Sequence, residues 1–154
     1  MDEITFHPYK KRPKTKRQQR RGLIKRLERQ LVVSPKVLRS RLDEIVSYYI
    51  RWRDKECLMG KMWTPCNGPV QAGHVLSRRH LATRWDETNI FGQCRSHNYQ
   101  HTFNPNLYVS WYVKTFGADK YEELVRKSRT SFKPTVGWLQ EQIDYFESKL
   151  NAKR

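Results

Sequence analysis

The chain has 154 residues, with 31 Lys+Arg against 15 Asp+Glu and a net charge of +16 at pH 7. That length suits one domain with arms, no apolar run approaches a membrane span, and 12% aromatics argue against full disorder. The cationic excess points to a polyanionic partner, nucleic acid first.

Charge is concentrated at the start, where residues 1–40 hold thirteen Lys/Arg against three acids. The stretch 10–21 has no apolar residue, so it is expected to lack stable structure when free and to act as a phosphate-binding arm through Lys10, Lys11, Arg12, Lys14, Lys16, Arg17, Arg20 and Arg21. The other reading of that stretch is a solubilising tail. Leu23, Ile24, Leu27 and Leu31 recur at helical spacing and predict a short helix from about residue 17 to residue 33. Ser34-Pro35 reads as an N-cap and first helical position. The helix it starts should run to about Asp54, with Leu38, Leu42, Ile45, Tyr49 and Trp52 on one face as core.

Residues 55–104 change character. Helical periodicity stops, Gly, Pro and Asn become frequent, and all three Cys and four of the five His lie here. Val70–Leu76 predicts a strand entering a loop, residues 89–93 predict a second, and a helix should begin near Ser96. Helical signals return at Asn104-Pro105, where Asn104 can cap a helix that carries Leu107, Trp111 and Phe116 and ends at Gly117. Asp119 can cap a second helix to about Ser128, and Thr135 a third bearing Leu139, Ile143, Phe146 and Leu150. The domain division is a basic arm and short helix (1–34), a helix plus site-bearing core (35–104) and a helical region (105–154).

Cys94-Arg95-Ser96-His97 has the spacing that lets one turn offer two ligands to a zinc ion. Cys57 and Cys66 upstream complete a Cys₃His set, a staple that a small core commonly needs. The alternatives are a Cys57–Cys66 disulfide or three unrelated thiols. With no apolar secretory-signal core in residues 1–14, a reducing cytoplasmic setting is expected, which disfavours the disulfide.

Phosphodiester hydrolysis needs a base for water, a cation against the developing charge, and something to orient the base. A neutral His suits the first task and an Asn carbonyl oxygen can hold a hard cation such as Mg²⁺ or Mn²⁺. His74 and Asn89, between the zinc-ligand candidates, and Asn98, directly after the last of them, follow the order of an HNH, or ββα-metal, nuclease. The segments Tyr49–Asp54, Gln71-Ala72-Gly73-His74, Thr83–Asn89 and Gln93–Asn98 more closely resemble the phage recombination protein NinG (Rap) family, over roughly residues 38–125.

The resemblance implies an α+β fold: a small zinc-stapled ββα-metal (HNH-like) core flanked by N- and C-terminal helices. It implies a metal-dependent endonuclease on branched DNA, such as Holliday junctions and displacement loops, in phage recombination within the host cytoplasm. His74 is similar to the general base, Asn89 to the orienting residue and Asn98 to the ligand of the catalytic cation. Three departures stand out. The family's leading C-x-x-C is Cys57-Leu58-Met59-Gly60, its last Cys is His97, and Gly73 precedes the histidine where many HNH enzymes have Asp. Asp86 is therefore a further candidate near the cation; the other reading makes it a cap or a partner for Arg84. Arg78, Arg79 and Arg84 are candidates for holding phosphates, against a generic basic surface. His80 and His101 are spare ligands or surface residues, and Trp85 packs. A junction resolver would need a homodimer. The rival class is a non-catalytic zinc-stapled nucleic-acid-binding protein, which would not need His74, Asn89 and Asn98 together.

Overall fold

A computed structural model describes residues 15–21, 34–60, 62 and 65–152. The chain divides into two units, Met1–Val33 and Ser34–Arg154. In the first, helix α1 is described over residues 16–21, all exposed. It starts on a reciprocal cap: Gln18 N–H donates to Thr15 Oγ1 (3.3 Å), while Thr15 N–H donates to Gln18 Oε1 (2.9 Å). α1 thus starts within one residue of the helix predicted from about residue 17, and the Thr-x-x-Gln cap supplies its nucleus. Lys16, Arg17, Arg20 and Arg21 lie on α1. Lys10, Lys11, Arg12 and Lys14, and the predicted helix beyond residue 21, lie outside the described residues.

The second unit begins with α2, Pro35–Asp54, capped where Ser34 Oγ accepts from Val37 N–H at 3.3 Å. It buries Leu38, Leu42, Val46, Tyr49 and Ile50. Two antiparallel strands follow, β1 (Val70–His74) and β2 (Ile90–Cys94), in register Val70↔Cys94 to His74↔Ile90. Helix α3 (Arg95–Phe103) starts directly on β2, and α4 (Pro105–Phe116), α5 (Ala118–Ser128) and α6 (Val136–Asn151) complete the unit. Thr135 caps α6 as expected, accepting from Trp138 N–H at 3.1 Å. Asn104 and Asp119 do not cap with their side chains. Pro105 starts α4 without such a bond, and α5 begins at Ala118, two residues early, behind Gly117 at φ 95°. No helix among the described residues is long and apolar enough to cross a membrane.

The core is double. Successive residues of a strand point to opposite faces, so Ile90 and Phe91 enter different clusters. Ile90 joins Leu38, Leu42, Ile50, Trp85, Leu139, Ile143 and Phe146 between α2 and α6. Phe91 joins Met59, Val75, Tyr108, Trp111, Tyr112 and Leu124 against α4 and α5. Every residue of β2 is buried.

A two-stranded sheet is marginal alone, and polar groups at the end of α2 hold this one. Asp54 Oδ2 accepts from Gly92 N–H at 2.6 Å, and Arg53 Nη2 donates to the Ile90 carbonyl at 3.0 Å. Leu58 N–H donates to the Gly92 carbonyl at 2.9 Å. This closeness demands glycine at 92, because a Cβ there would lie 2.8 Å from Asp54 Cβ and 2.9 Å from the Glu56 carbonyl oxygen. Gly92→Ala should destabilise the protein by about 1–3 kcal/mol through overpacking, measured by urea unfolding against wild type.

Candidate metal centre and catalytic cleft

Four side chains converge at the strand–helix junction. Cys57 comes from the loop after α2, Cys66 from the approach to β1, Cys94 from the end of β2 and His97 from the first turn of α3. Their ligand atoms all lie within 4.8 Å of one another. His97 Nδ1 is 3.1 Å from Cys94 Sγ, 3.4 Å from Cys57 Sγ and 3.7 Å from Cys66 Sγ. The edge of a tetrahedron built on zinc–sulfur and zinc–nitrogen bonds is about 3.5 Å, so the four residues can hold a metal such as zinc. The other ring nitrogen, Nε2, sits 2.8 Å from the Met62 carbonyl. That bond takes the ring proton and leaves Nδ1 as the ligand, the usual outer support of a metal-bound imidazole.

All three cysteines are free thiols, so the disulfide alternative does not hold. Burial works against ionisation of Cys94, but the Ser96 hydroxyl and the backbone N–H groups of His97 and Asn67 bring its thiol down to about 6. A thiolate is thus available early for a cation. Cys66 supplies the ligand that the absent second Cys of a C-x-x-C would have given, reaching in from a longer loop.

Residues of β1 also line an open cleft of about 770 Å³. Ser47 and Arg51 of α2 form one wall, and Asn98, His101 and Thr102 of α3 the other. Gln71, Ala72 and His74 of β1, with Arg78 just beyond it, line the space between. His74 and Asn98 therefore share one cleft. His74 Nε2 is 2.9 Å from the Arg84 carbonyl, which fixes the proton there and leaves Nδ1 with its lone pair. Burial lowers the His74 pKa to about 4; the bond to the Arg84 carbonyl and the Asp43 charge oppose this, and the charges of Arg78 and Arg84 reinforce it. The ring is neutral at physiological pH. Asn98 Nδ2 donates to Gln71 Oε1 at 2.7 Å, so the amide is held by its nitrogen and its oxygen is left to accept.

Asn89 is wholly buried and serves the loop rather than lining the cleft. Its Oδ1 accepts from Leu76 N–H at 2.7 Å, and its Nδ2 donates to the carbonyls of Thr83 (2.9 Å) and Leu76 (3.1 Å). It thereby ties both ends of the 75–88 loop, the segment that carries the Arg84 carbonyl to His74. Asn89 orients the imidazole at one remove.

The arginines divide. Arg78 lines the cleft and is exposed, and Arg79 is exposed outside its lining. Arg84 is committed to Asp43, donating from Nε at 2.9 Å and from Nη2 at 2.6 Å, and to the Arg78 carbonyl at 3.1 Å. Its guanidinium is used in holding the loop to α2. Asp86 accepts from Thr88 N–H and Oγ1 at 2.9 and 2.7 Å and pairs with Lys127, lining a separate hollow against α5. Those bonds hold its carboxyl below the usual range despite burial. Its cap is the expected alternative; its ion-pair partner is Lys127 rather than Arg84. His101 lines the cleft with its ring edge-to-face on Tyr108 at 4.7 Å, and His80 is exposed; neither joins the Cys/His cluster. Trp85 packs in the core and donates to Asp43 at 2.8 Å.

The sequence pattern described as Bacteriophage Lambda NinG protein matches residues 4–154. The chain belongs to the NinG family. Neither a search of curated proteins nor a search of solved structures returned a match. The family match extends well beyond the central segments that carry the resemblance, into the arm and through α6.

Arg51, Ser47 and Gln71 of the cleft were not singled out by sequence reasoning. Arg51 and Gln71 fall inside motif segments that carry the family resemblance, which was the available signal. Arg51 occupies the wall opposite Asn98, with Nη1 donating to Ser47 Oγ at 2.6 Å.

Two measurements check the site. Elemental analysis of purified protein should find about one zinc per chain, lost in Cys94→Ser together with cooperative unfolding. The second concerns His74. The folded protein holds this ring neutral where the unfolded chain is already protonated. Stability that it contributes above pH 6.5 is therefore lost as pH falls toward 4, by on the order of 3 kcal/mol in full. His74→Gln, whose amide can still donate to the Arg84 carbonyl, should flatten the stability–pH curve in that window relative to wild type.

Proposed function

We propose that the chain is a metal-dependent DNA endonuclease of the HNH type, hydrolysing phosphodiester bonds in branched DNA during phage recombination, in the host cytoplasm. The observation that supports it best is the shared cleft: a neutral imidazole with an open nitrogen, an amide oxygen, and two arginines, Arg51 from α2 and Arg78 from the loop after β1. His74 Nδ1 takes the proton of the attacking water. Asn98 offers Oδ1 to a Mg²⁺ or Mn²⁺ ion, a hard cation that neutral oxygens and water suit; the chemistry that ion supplies is neutralisation of charge on the phosphate and the leaving oxygen. Arg51 and Arg78 hold the phosphates on either side, and Asn89 and Arg84 keep the carbonyl that sets the His74 tautomer in place. The Cys/His cluster, with zinc bound, anchors the strand–helix junction from which Asn98 projects. The basic residues of α1 and the arm add sequence-independent affinity, and paired cuts at a junction call for a homodimer.

A second reading has one observation in its favour. Among the described residues, none lining the cleft is acidic, which also suits a non-catalytic phosphate-binding groove. A nicking assay on branched and linear DNA with Mg²⁺ or Mn²⁺ separates the two. His74→Ala should lower cleavage by about 10²- to 10⁴-fold while DNA affinity stays near wild type. Cleavage at the wild-type rate by that variant removes His74 from the mechanism, and no cleavage by wild type leaves the binding protein.

A further inference from the structure

Helix α3 has a second face beside the one that lines the cleft. Asn98 and Thr102 face the cleft. One residue on, about 100° round the helix, Arg95, Tyr99 and Phe103 recur at every fourth position and form a row of their own. Tyr99 is 66% and Phe103 69% exposed, the highest values among the described large apolar side chains. Their rings meet edge to face at 4.9 Å, which leaves outer faces open. Beside Tyr99 is a hollow of about 370 Å³ lined by Asn67, Gly68, Arg95 and Ser96. Gly68, at φ 78°, makes room for the arginine: a Cβ there would come within 2.8 Å of Arg95 Cβ.

We propose that the Arg95–Tyr99–Phe103 row of α3 is a stacking platform for unpaired nucleobases of a DNA strand lying in the neighbouring cleft. The inference rests on the reading of that cleft as a DNA site and specifies the state of the DNA beside it. Two aromatic side chains bury about 300–500 Å² in all, short of the roughly 800 Å² per partner of a stable protein interface. The surroundings are cationic, with Arg95 in the row and Arg51 and Arg78 in the cleft, and no acid lines the cleft or the hollow among the described residues. An aromatic ring can stack on any base whose face is free, whereas the bases of a continuous duplex are stacked on each other. The platform therefore favours bases set loose at a branch or flap, independent of sequence.

The test uses the full-length, zinc-loaded chain without added divalent cation, so that binding is read apart from cleavage. Two DNAs of equal length are compared, a continuous duplex and one with a single-stranded flap carrying 2-aminopurine. Wild type should quench the flap fluorescence. Tyr99→Ala/Phe103→Ala should lose the quench and bind the flap at least about fivefold more weakly, with duplex affinity within twofold and zinc content unchanged. Tyr99→Trp should keep the quench. Equal losses on both DNAs, no loss on either, or a change of molecular mass in light scattering with the double variant each overturn the platform. A retained flap preference with no cleavage under any cation removes the nuclease reading alone; intact cleavage with no flap preference removes the platform alone.

Discussion

A sheet of two five-residue strands cannot hold its own shape, and the architecture of the second unit answers that constraint. The strands gain stability from what grips them. Asp54 and Arg53 bond β2 from the end of α2. The Cys/His cluster pulls together the loop before β1, the end of β2 and the start of α3. Ile90 and Phe91 send adjacent side chains into separate cores. The cleft inherits its geometry from these grips, since its floor is β1 and its walls are the two helices that they fix.

The loop between the strands follows the same logic with hydrogen bonds in place of apolar contact. Asp43 on α2 receives Arg84 through two bonds and Trp85 through a third. Asn89 closes the loop on itself from inside. One carbonyl, that of Arg84, is the product of this arrangement: it decides which nitrogen of His74 carries the proton. An arginine in this cleft region thus acts through its backbone, with its guanidinium spent on keeping the backbone still.

Local signals in the sequence located the elements well wherever a cap and a periodic face coincided, as at Ser34-Pro35 and Thr135. They also brought together Cys57, Cys66, Cys94 and His97 in spite of the irregular first pair, because the supply of soft ligands in one short region was itself informative. His74 and Asn98 were legible as a pair for their chemical types and order. Pairings across the fold were not. Arg84 and Asp43 are 41 residues apart, and nothing in the local pattern tells a phosphate-binding arginine from one tied to a distant aspartate. Asn89 looked like a site residue, and the structure buries it inside the loop that it closes; full burial of a polar side chain is a tertiary fact. Arg51 was hidden by its helix, where an arginine outside the apolar stripe reads as ordinary solvated surface.

The division of the core has a consequence for how the chain folds. The partner of α2 is α6, and the ion pair Arg41–Glu147 that spans them joins residues 106 apart. Until α6 has emerged from the ribosome, the face of α2 bearing Leu42, Ile50 and Val46 has only part of its cover, from residues such as Trp85 and Ile90, and is open to nonspecific association. The Cys/His cluster closes a far shorter loop, with Cys57 and His97 only 40 residues apart, and shorter closures cost less chain entropy. A metal held by these four residues would therefore organise the sheet and α3 on the nascent chain before the larger core assembles.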